Sequence, residues 1–385
     1  MKILWLCSWY PNKLDKFGGD FVERHAKAIA QFQSLDVIHV VQNHFLLQNV
    51  KATFECHQDH NIRFFLKVIP LPKTGIPFFN KIIFNRHYNK QLKKMLDAYI
   101  KENGKPDIVH VHVPVKMGVG ALYLKEKYNI PFVVTEHNSA YFKEIPENYH
   151  QRSKYYRYIT RKTCESAISV SSVSDWLLKR LSDLFQLKSS KCIRNVVDHS
   201  LFYYSPVNNS VKRFIHVSMM EPLKNVKGII AAFIELNQKF SCWELVLVGP
   251  CPDELKQMIQ NGGIEDKVIL TGLLPYSDVA AQMRRADALI HFSLYENLPC
   301  VINEALCCGL MVISSDVGGI KEIINQHNGV LVRSENIEAL KLAVIHFLNN
   351  FSAYNREKIS IAATAEFNYS HVGHQLLQWY QELLK

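Results

Sequence analysis

Two glutamates, Glu296 and Glu304, are separated by seven residues in the stretch SLYENLPCVINEALCCGLMVISSDVGGIKE, residues 293–322. An apolar run, Ala288–Phe292, precedes them, and Pro299 lies between them ahead of a segment with helical character. That order reads as strand, short loop, helix N-terminus, with one carboxylate at each end of the loop. The amides of Cys300, Val301 and Ile302 would open the helix, where backbone N–H groups and the helix dipole suit a diphosphate. Asn297 stands in the loop beside them. Carboxylates accept hydrogens from sugar or ribose hydroxyls. The expected ligand is therefore a nucleotide sugar. Taken alone, two acids at this spacing also suit a solvated surface pair, so the flanking words matter.

Those words resemble the glutamate motif of the retaining glycosyltransferases of the GT-B fold, and within them glycosyltransferase family 4. The matching features are E-N-L-P after a strand, E-A-L opening a helix, the small residue and glycine at Cys308-Gly309, and V-G-G-x-x-E at Val317–Glu322. The resemblance implies two Rossmann-like α/β domains facing across a cleft, with a C-terminal helix returning to the first. It implies transfer of a sugar from a UDP- or GDP-linked donor to an acceptor hydroxyl with retention. Glu304 would bind the donor ribose and Glu296 the sugar hydroxyls. No residue is an obvious covalent nucleophile, so a front-side displacement is implied. Two alternatives stay open: a non-catalytic partner subunit, or a nucleotide-sugar epimerase or phosphorylase on the same fold.

At 385 residues the chain suits two domains. Hydrophobic residues make up 48% and charged residues 21%, which excludes a disordered chain. No apolar run approaches the length of a membrane span. The N-terminal MKILWLCSWYPN lacks a small-residue cleavage site and reads as a first strand. The nine cysteines form no C-x-x-C pair, and Cys307 and Cys308 are expected as buried small residues in a reducing cytoplasm.

Elements alternate in both halves. Strands are expected at Ile3–Trp9, Leu35–Val41, Asp107–Val113, Pro131–Thr135 and Ala167–Ser171, with helices at Phe21–Phe32, Ala121–Tyr128 and Asp175–Leu184. The pattern restarts with Phe214–Ser218, Glu244–Val248, Lys267–Thr271, Ala288–Phe292 and Met311–Ser315, each followed by a helix. Parallel sheets with helices on both faces follow. The expected domains are residues 1–197 with the amphipathic helix 370–385, and residues 198–369. The linker IRNVVDHSLFYYSP, residues 193–206, matches the family's segment at this point except for Val196.

Gly18 and Gly19 follow the first strand and open a helix, where glycine admits a ligand close to the backbone; the family's loop here faces the donor. His137, in the word TEHN, ends a strand, where ligands of open α/β sheets sit, and the family's histidine there lies by the donor sugar. His110 and His112 match the family's H-x-H, one of them expected to support the sheet end. Lys224 takes the place of the family's phosphate-gripping lysine. Met219 stands at its arginine and Ser218 at its glycine. An alternative register uses Lys227-Gly228. There is no Asp-x-Asp word, so no metal is expected, with Lys224 and helix amides neutralising the diphosphate. No cofactor is expected either.

Residues 1–198 hold 30 Lys and Arg against 17 Asp and Glu, and residues 199–385 hold 15 against 18, net charges of +13 and −3. The segment Phe78–Leu96 adds Lys81, Arg86, Lys90, Lys93 and Lys94 among apolar residues. It suits an anionic bilayer, or a helix packed on its own domain. Expected partners are the sugar nucleotide, a glycan or lipid-linked acceptor and an anionic membrane surface; nucleic acid is not expected. The expected place is the cytoplasm, peripheral on the inner face of the plasma membrane.

Overall fold

The computed structural model describes residues 1–43, 53–70, 77–207 and 209–385, and of 42, 43, 53, 70 and 77–81 the backbone alone. The chain divides into two compact units, Met1–Val196 with Tyr369–Lys385, and Val197–Asn368.

Unit 1 runs β1 (Ile3–Cys7), α1 (Asp20–Ala30), β2 (Leu35–Asn43), β3 (Thr53–Asp59), β4 (Ile62–Pro70), α2 (Pro77–Asn103), β5 (Ile108–His112), α3 (Gly118–Tyr128), β6 (Phe132–Glu136), α4 (Lys154–Ser166), β7 (Ser169–Ser172), α5 (Asp175–Leu184) and β8 (Ser190–Cys192). The eight strands lie in the order β3-β4-β2-β1-β5-β6-β7-β8. Every pair is parallel except β3 with β4. That antiparallel edge corrects the all-parallel expectation. Strand β3 is mostly exposed, so its sequence TFECHQD carries no apolar run that would mark it. Strands β1, β5 and β6 are buried along their whole length, as a sheet covered on both faces requires.

Unit 2 runs β9 (Lys212–Val217), α6 (Val226–Asn237), β10 (Trp243–Val248), α7 (Asp253–Asn261), β11 (Val268–Gly272), α8 (Tyr276–Arg285), β12 (Ala288–His291), α9 (Cys300–Cys307), β13 (Met311–Ser315), β14 (Gly329–Val332), α10 (Ile337–Asn350) and α11 (Arg356–Phe367). The sheet is parallel in the order β11-β10-β9-β12-β13-β14. This is the doubly wound order, with its reversal between β9 and β12. One expected helix is absent: after β13 comes only the short turn Ile320–Glu322 before β14.

The last helix, α12 (Tyr369–Leu383), belongs to unit 1 and packs on α1. Its buried face holds Val372, Leu376, Trp379 and Tyr380. The Trp379 indole donates to the Ser169 hydroxyl at 3.2 Å. None of the nine cysteines is in a disulfide, and Cys307 and Cys308 are buried as expected.

Candidate functional site

In an open parallel sheet, ligands gather outside the carboxyl ends of the strands where the order reverses. In unit 2 that point lies between β9 and β12, and there the charged side chains collect. Glu296, in the loop after β12, is buried. Its Oε1 accepts from Lys224 Nζ at 2.6 Å and from His291 Nε2 at 2.9 Å. Burial pushes this carboxyl up, but the bonds and charges of His291 and Lys224 outweigh it and leave the pKa at about 2. Glu296 is therefore a carboxylate at neutral pH, an acceptor with no proton to give. His291 must carry its hydrogen on Nε2, where Ser293 Oγ also stands at 3.1 Å.

Behind this cluster lies His216, whose part the sequence reading did not anticipate. Its Nδ1 donates to the Ile290 carbonyl at 2.9 Å and its Nε2 pairs with the Ser218 hydroxyl at 2.7 Å. Burial first, then the neighbouring His291, hold its pKa at about 3. Ser218 also accepts the Met220 amide at 2.9 Å. The serine at the family's glycine place thus props a buried imidazole.

The two candidate lysines meet different acids. Lys224 ends the turn Pro222–Lys224 and reaches Glu296. Lys227 instead pairs with Glu254 at 2.5 Å, both side chains being exposed. Leu294 N–H donates to the Leu223 carbonyl at 2.8 Å, tying the Lys224 turn to the Glu296 loop. Met219, at the arginine place, is 57% exposed.

Helix α9 starts at Cys300 after Pro299, as expected. The Ile302 amide, however, is engaged by the Pro299 carbonyl at 3.1 Å, so it is not among the amides a phosphate could take. Cys300 and Val301 open the helix, whose first-turn N–H groups point along its axis. Glu304 is buried and accepts from the Tyr276 hydroxyl at 2.7 Å. Tyr276 rests on Phe202, ring centroids 4.9 Å apart. The Val317-Gly-Gly turn closes over the Glu296 loop, with Gly319 N–H donating to the Asn297 carbonyl at 2.8 Å. Gly318 has φ +62° there, and a Cβ on it would stand 2.1 Å from the Glu296 carbonyl oxygen. Only glycine fits.

In unit 1 the reversal lies between β1 and β5, and histidines collect at these strand ends. His137 follows β6, and its Nε2 bonds His112 Nδ1 at 3.2 Å, the rings stacked at 5.5 Å. His25 and Phe21 of α1 bring their rings to 5.7 and 4.8 Å from His137. Burial lowers the pKa of His112 and His137 well below the ordinary histidine value, and that of His25 to about 4. His110 bonds the Tyr380 hydroxyl at 2.5 Å and the Thr135 hydroxyl at 2.6 Å. Both its nitrogens are committed to holding α12 and β6.

The glycines before α1 have an internal reason. The Gly18 amide donates to Asp15 Oδ1 at 2.8 Å. Gly19 has φ +85°, and a Cβ there would lie 2.6 Å from the Trp9 backbone. What stands against a side chain at Gly19 is the chain's own turn.

Residues 53–201 match the family model described as Glycosyltransferase Family 4, and residues 204–365 that described as Glycosyl transferases group 1. The chain belongs to the family 4 glycosyltransferases. TuaC of Bacillus subtilis (strain 168), a glycosyltransferase whose name assigns it provisionally to teichuronic acid biosynthesis, is 24% identical over 90% of this chain and 89% of its own. The O-antigen chain mannosyltransferase B of Escherichia coli is 24% identical over 57% of this chain and 62% of its own. Among solved structures, HepE of Anabaena in complex with UDP superposes with a TM-score of 0.75 at 18% identity, over 99% of this chain and all of its own. Sucrose-phosphate synthase from Thermosynechococcus elongatus gives 0.76 at 20% identity, over 100% of this chain and 99% of its own. These likenesses show the GT-B fold of this family 4 enzyme. Among the described residues no helix is long and apolar enough to cross a membrane.

Proposed function

We propose that this glycosyltransferase moves a sugar, with retention, from a nucleotide-diphosphate sugar to an acceptor hydroxyl, unit 2 taking the donor and unit 1 the acceptor. The observation that carries the reading is the Glu296 carboxylate held by Lys224 and His291 at the switch point of unit 2. A carboxylate ionised down to about pH 2 cannot act as a general acid at neutral pH. It can accept the hydroxyl hydrogens of the donor sugar. Glu304 accepts the ribose hydroxyls in place of the Tyr276 hydroxyl that now occupies it. Negative charge grows on the departing diphosphate, where Lys224 and the first amides of α9 stabilise it. The leaving oxygen helps deprotonate the acceptor on the same face of the sugar, and His137 is the candidate residue of unit 1 for the reaction. No metal takes part, because Lys224 and the helix amides meet the charge.

HepE has been solved with UDP and with UDP-glucose, which supports a UDP-linked donor. The names of TuaC and the O-antigen mannosyltransferase support assembly of a bacterial surface polysaccharide or lipid-linked glycan. A thermal-shift screen of UDP- and GDP-sugars tests the donor. Stabilisation by at least one of them, and a product of unchanged anomeric configuration in the presence of EDTA, is the expected outcome. An inverted product, or loss of activity with EDTA that Mn²⁺ restores, contradicts it. Exposed Met219 in place of a phosphate-binding arginine favours one other reading, a non-catalytic partner subunit. Absence of donor hydrolysis without acceptor, despite donor binding, would favour that subunit.

The acceptor side points to an anionic bilayer at the cytoplasmic face. Helix α2 turns Phe84, Tyr88, Leu92, Met95, Leu96 and Tyr99 into the core of unit 1. Its outer face keeps Ile82, Ile83, Arg86, Lys90, Lys93 and Lys94 exposed, while the side chains of Phe78 and Lys81 lie outside the described residues. The apolar face is thus already used, and attraction to lipid rests on charge, about 1 kcal/mol per cation near the surface. The protein should pellet with anionic vesicles at low salt and stay in solution with neutral ones; failure to pellet favours a soluble acceptor.

A further inference from the structure

We propose that Glu136 is a positioning residue for His137: its carboxylate, sealed at the end of β6, knots the chain just beyond the strand and so sets where the His137 ring stands. The proposal rests on the reading of His137 as part of the transfer site.

Glu136 is 1% exposed. Its Oε1 accepts the amides of His137 and Asn138, each at 2.8 Å, and its Oε2 accepts the Tyr141 hydroxyl. Three donors converge on one buried acid, all from the five residues that follow it. The knot continues outward. The Asn138 side chain accepts the Ala140 amide at 2.8 Å, and the Ala140 carbonyl accepts the Tyr149 amide at 2.6 Å. The loop carrying His137 is therefore fixed from inside the strand end.

The groups around the carboxylate are Tyr141 and His137 of its own loop, and Tyr156 and Cys164 of α4. From β7, Ser172 is its register partner, and Arg180 of α5 reaches the Tyr141 carbonyl at 3.0 Å, not the acid. Among the described residues no Lys or Arg is bonded to it. Burial without a cation raises its pKa to about 7, although the three donors hold it down. The ionised form accepts most strongly from all three donors, so the knot is tightest above neutral pH and loosens below it.

Glu136→Gln keeps the shape and one acceptor oxygen but cannot titrate. Tyr141→Phe removes one donor, which destabilises the carboxylate and moves its midpoint upward. Each variant is assayed from about pH 5.5 to 8.5 for kcat, KM for acceptor and affinity for donor, with the His137 ring followed by NMR over the same range. In the native chain kcat should fall through a one-proton limb near pH 7, and the His137 signal should shift with that midpoint. In Glu136→Gln the limb and the shift should vanish, kcat should drop on the order of tenfold, and donor affinity should stay unchanged. In Tyr141→Phe the limb should move to higher pH. Native kcat and an unmoved limb in Glu136→Gln, or a His137 signal indifferent to the substitution, overturns the proposal. If the native chain neither binds nor turns over any UDP- or GDP-sugar, the transferase reading falls, and the His137 signal still decides the role of Glu136.

Discussion

At the switch point of unit 2 the buried groups are charged, with Lys224 and Glu296 in direct contact. At that of unit 1 the histidines are neutral, with His112 stacked on His137, His25 set edge-on to it, and all three held well below their ordinary pKa by burial. On the proposed reading, the same strand-end position serves two kinds of chemistry. A diphosphate leaving group needs fixed charge beside it. An incoming hydroxyl needs geometry and a dry, uncharged wall. The contrast predicts that the two units fail differently when perturbed.

Charge removal in unit 2 should cost most. Lys224→Ala or Glu296→Ala should lower kcat by about 10²–10³-fold, the range for losing one group that stabilises transition-state charge. Single-turnover rates check this, and a loss below about fivefold would blur the contrast between the units.

Acid should break unit 1 first. A histidine held below its ordinary value binds fewer protons folded than unfolded, so its contribution is full above pH 6.5 and is lost as pH falls toward the folded pKa. His25 and His39, both at about 4, should each remove about 2 kcal/mol by pH 5, and His110, His112 and His137 act in the same direction. Glu136, raised to about 7, acts in the opposite sense and regains part of this as it protonates. Unit 2 holds His216 in the same state, and Glu296, whose stabilisation is lost only as pH falls from 4.5 toward 2. Hydrogen exchange at about pH 5 should therefore open the strands of unit 1 before those of unit 2. Simultaneous opening would show that the histidines do not control unit 1.

Smaller effects probe the donor side. Tyr276→Phe removes one hydrogen bond to Glu304 and should change donor affinity by about 0.5–1.5 kcal/mol, read by titration calorimetry. Met219→Arg should tighten diphosphate binding by a few-fold, since the exposed thioether offers phosphate no donor. No gain would mean that Lys224 and the α9 amides already meet the charge.

How much of this was legible in the sequence depended on whether a residue's partners lay nearby in the chain. The Glu296–Glu304 loop and the start of α9 were readable because strand, proline and helix follow one another. The parallel sheets were readable from alternating apolar runs. Strand β3 was not, because an exposed edge strand has no apolar period. The sequence puts Lys224 in the lysine place with Lys227 as the alternative, but does not show the distant acid that each meets, Glu296 or Glu254. His216 and Glu136 were passed over because a buried titratable group in a strand looks like any other polar residue until its surroundings are known. The glycines before α1 also have a local reason, Trp9 and Asp15, which the linear sequence does not show.

The division of labour on the donor side is tested most directly by calorimetric titration of the native chain and of Glu304→Ala with the UDP- or GDP-sugar that the thermal screen selects. Losing a charge-assisted hydrogen bond to the ribose should cost about 1.5–3 kcal/mol, tenfold or more in Kd, while Glu296→Ala binds the same donor with little change and turns over slowly. An unchanged Kd in Glu304→Ala contradicts the assignment.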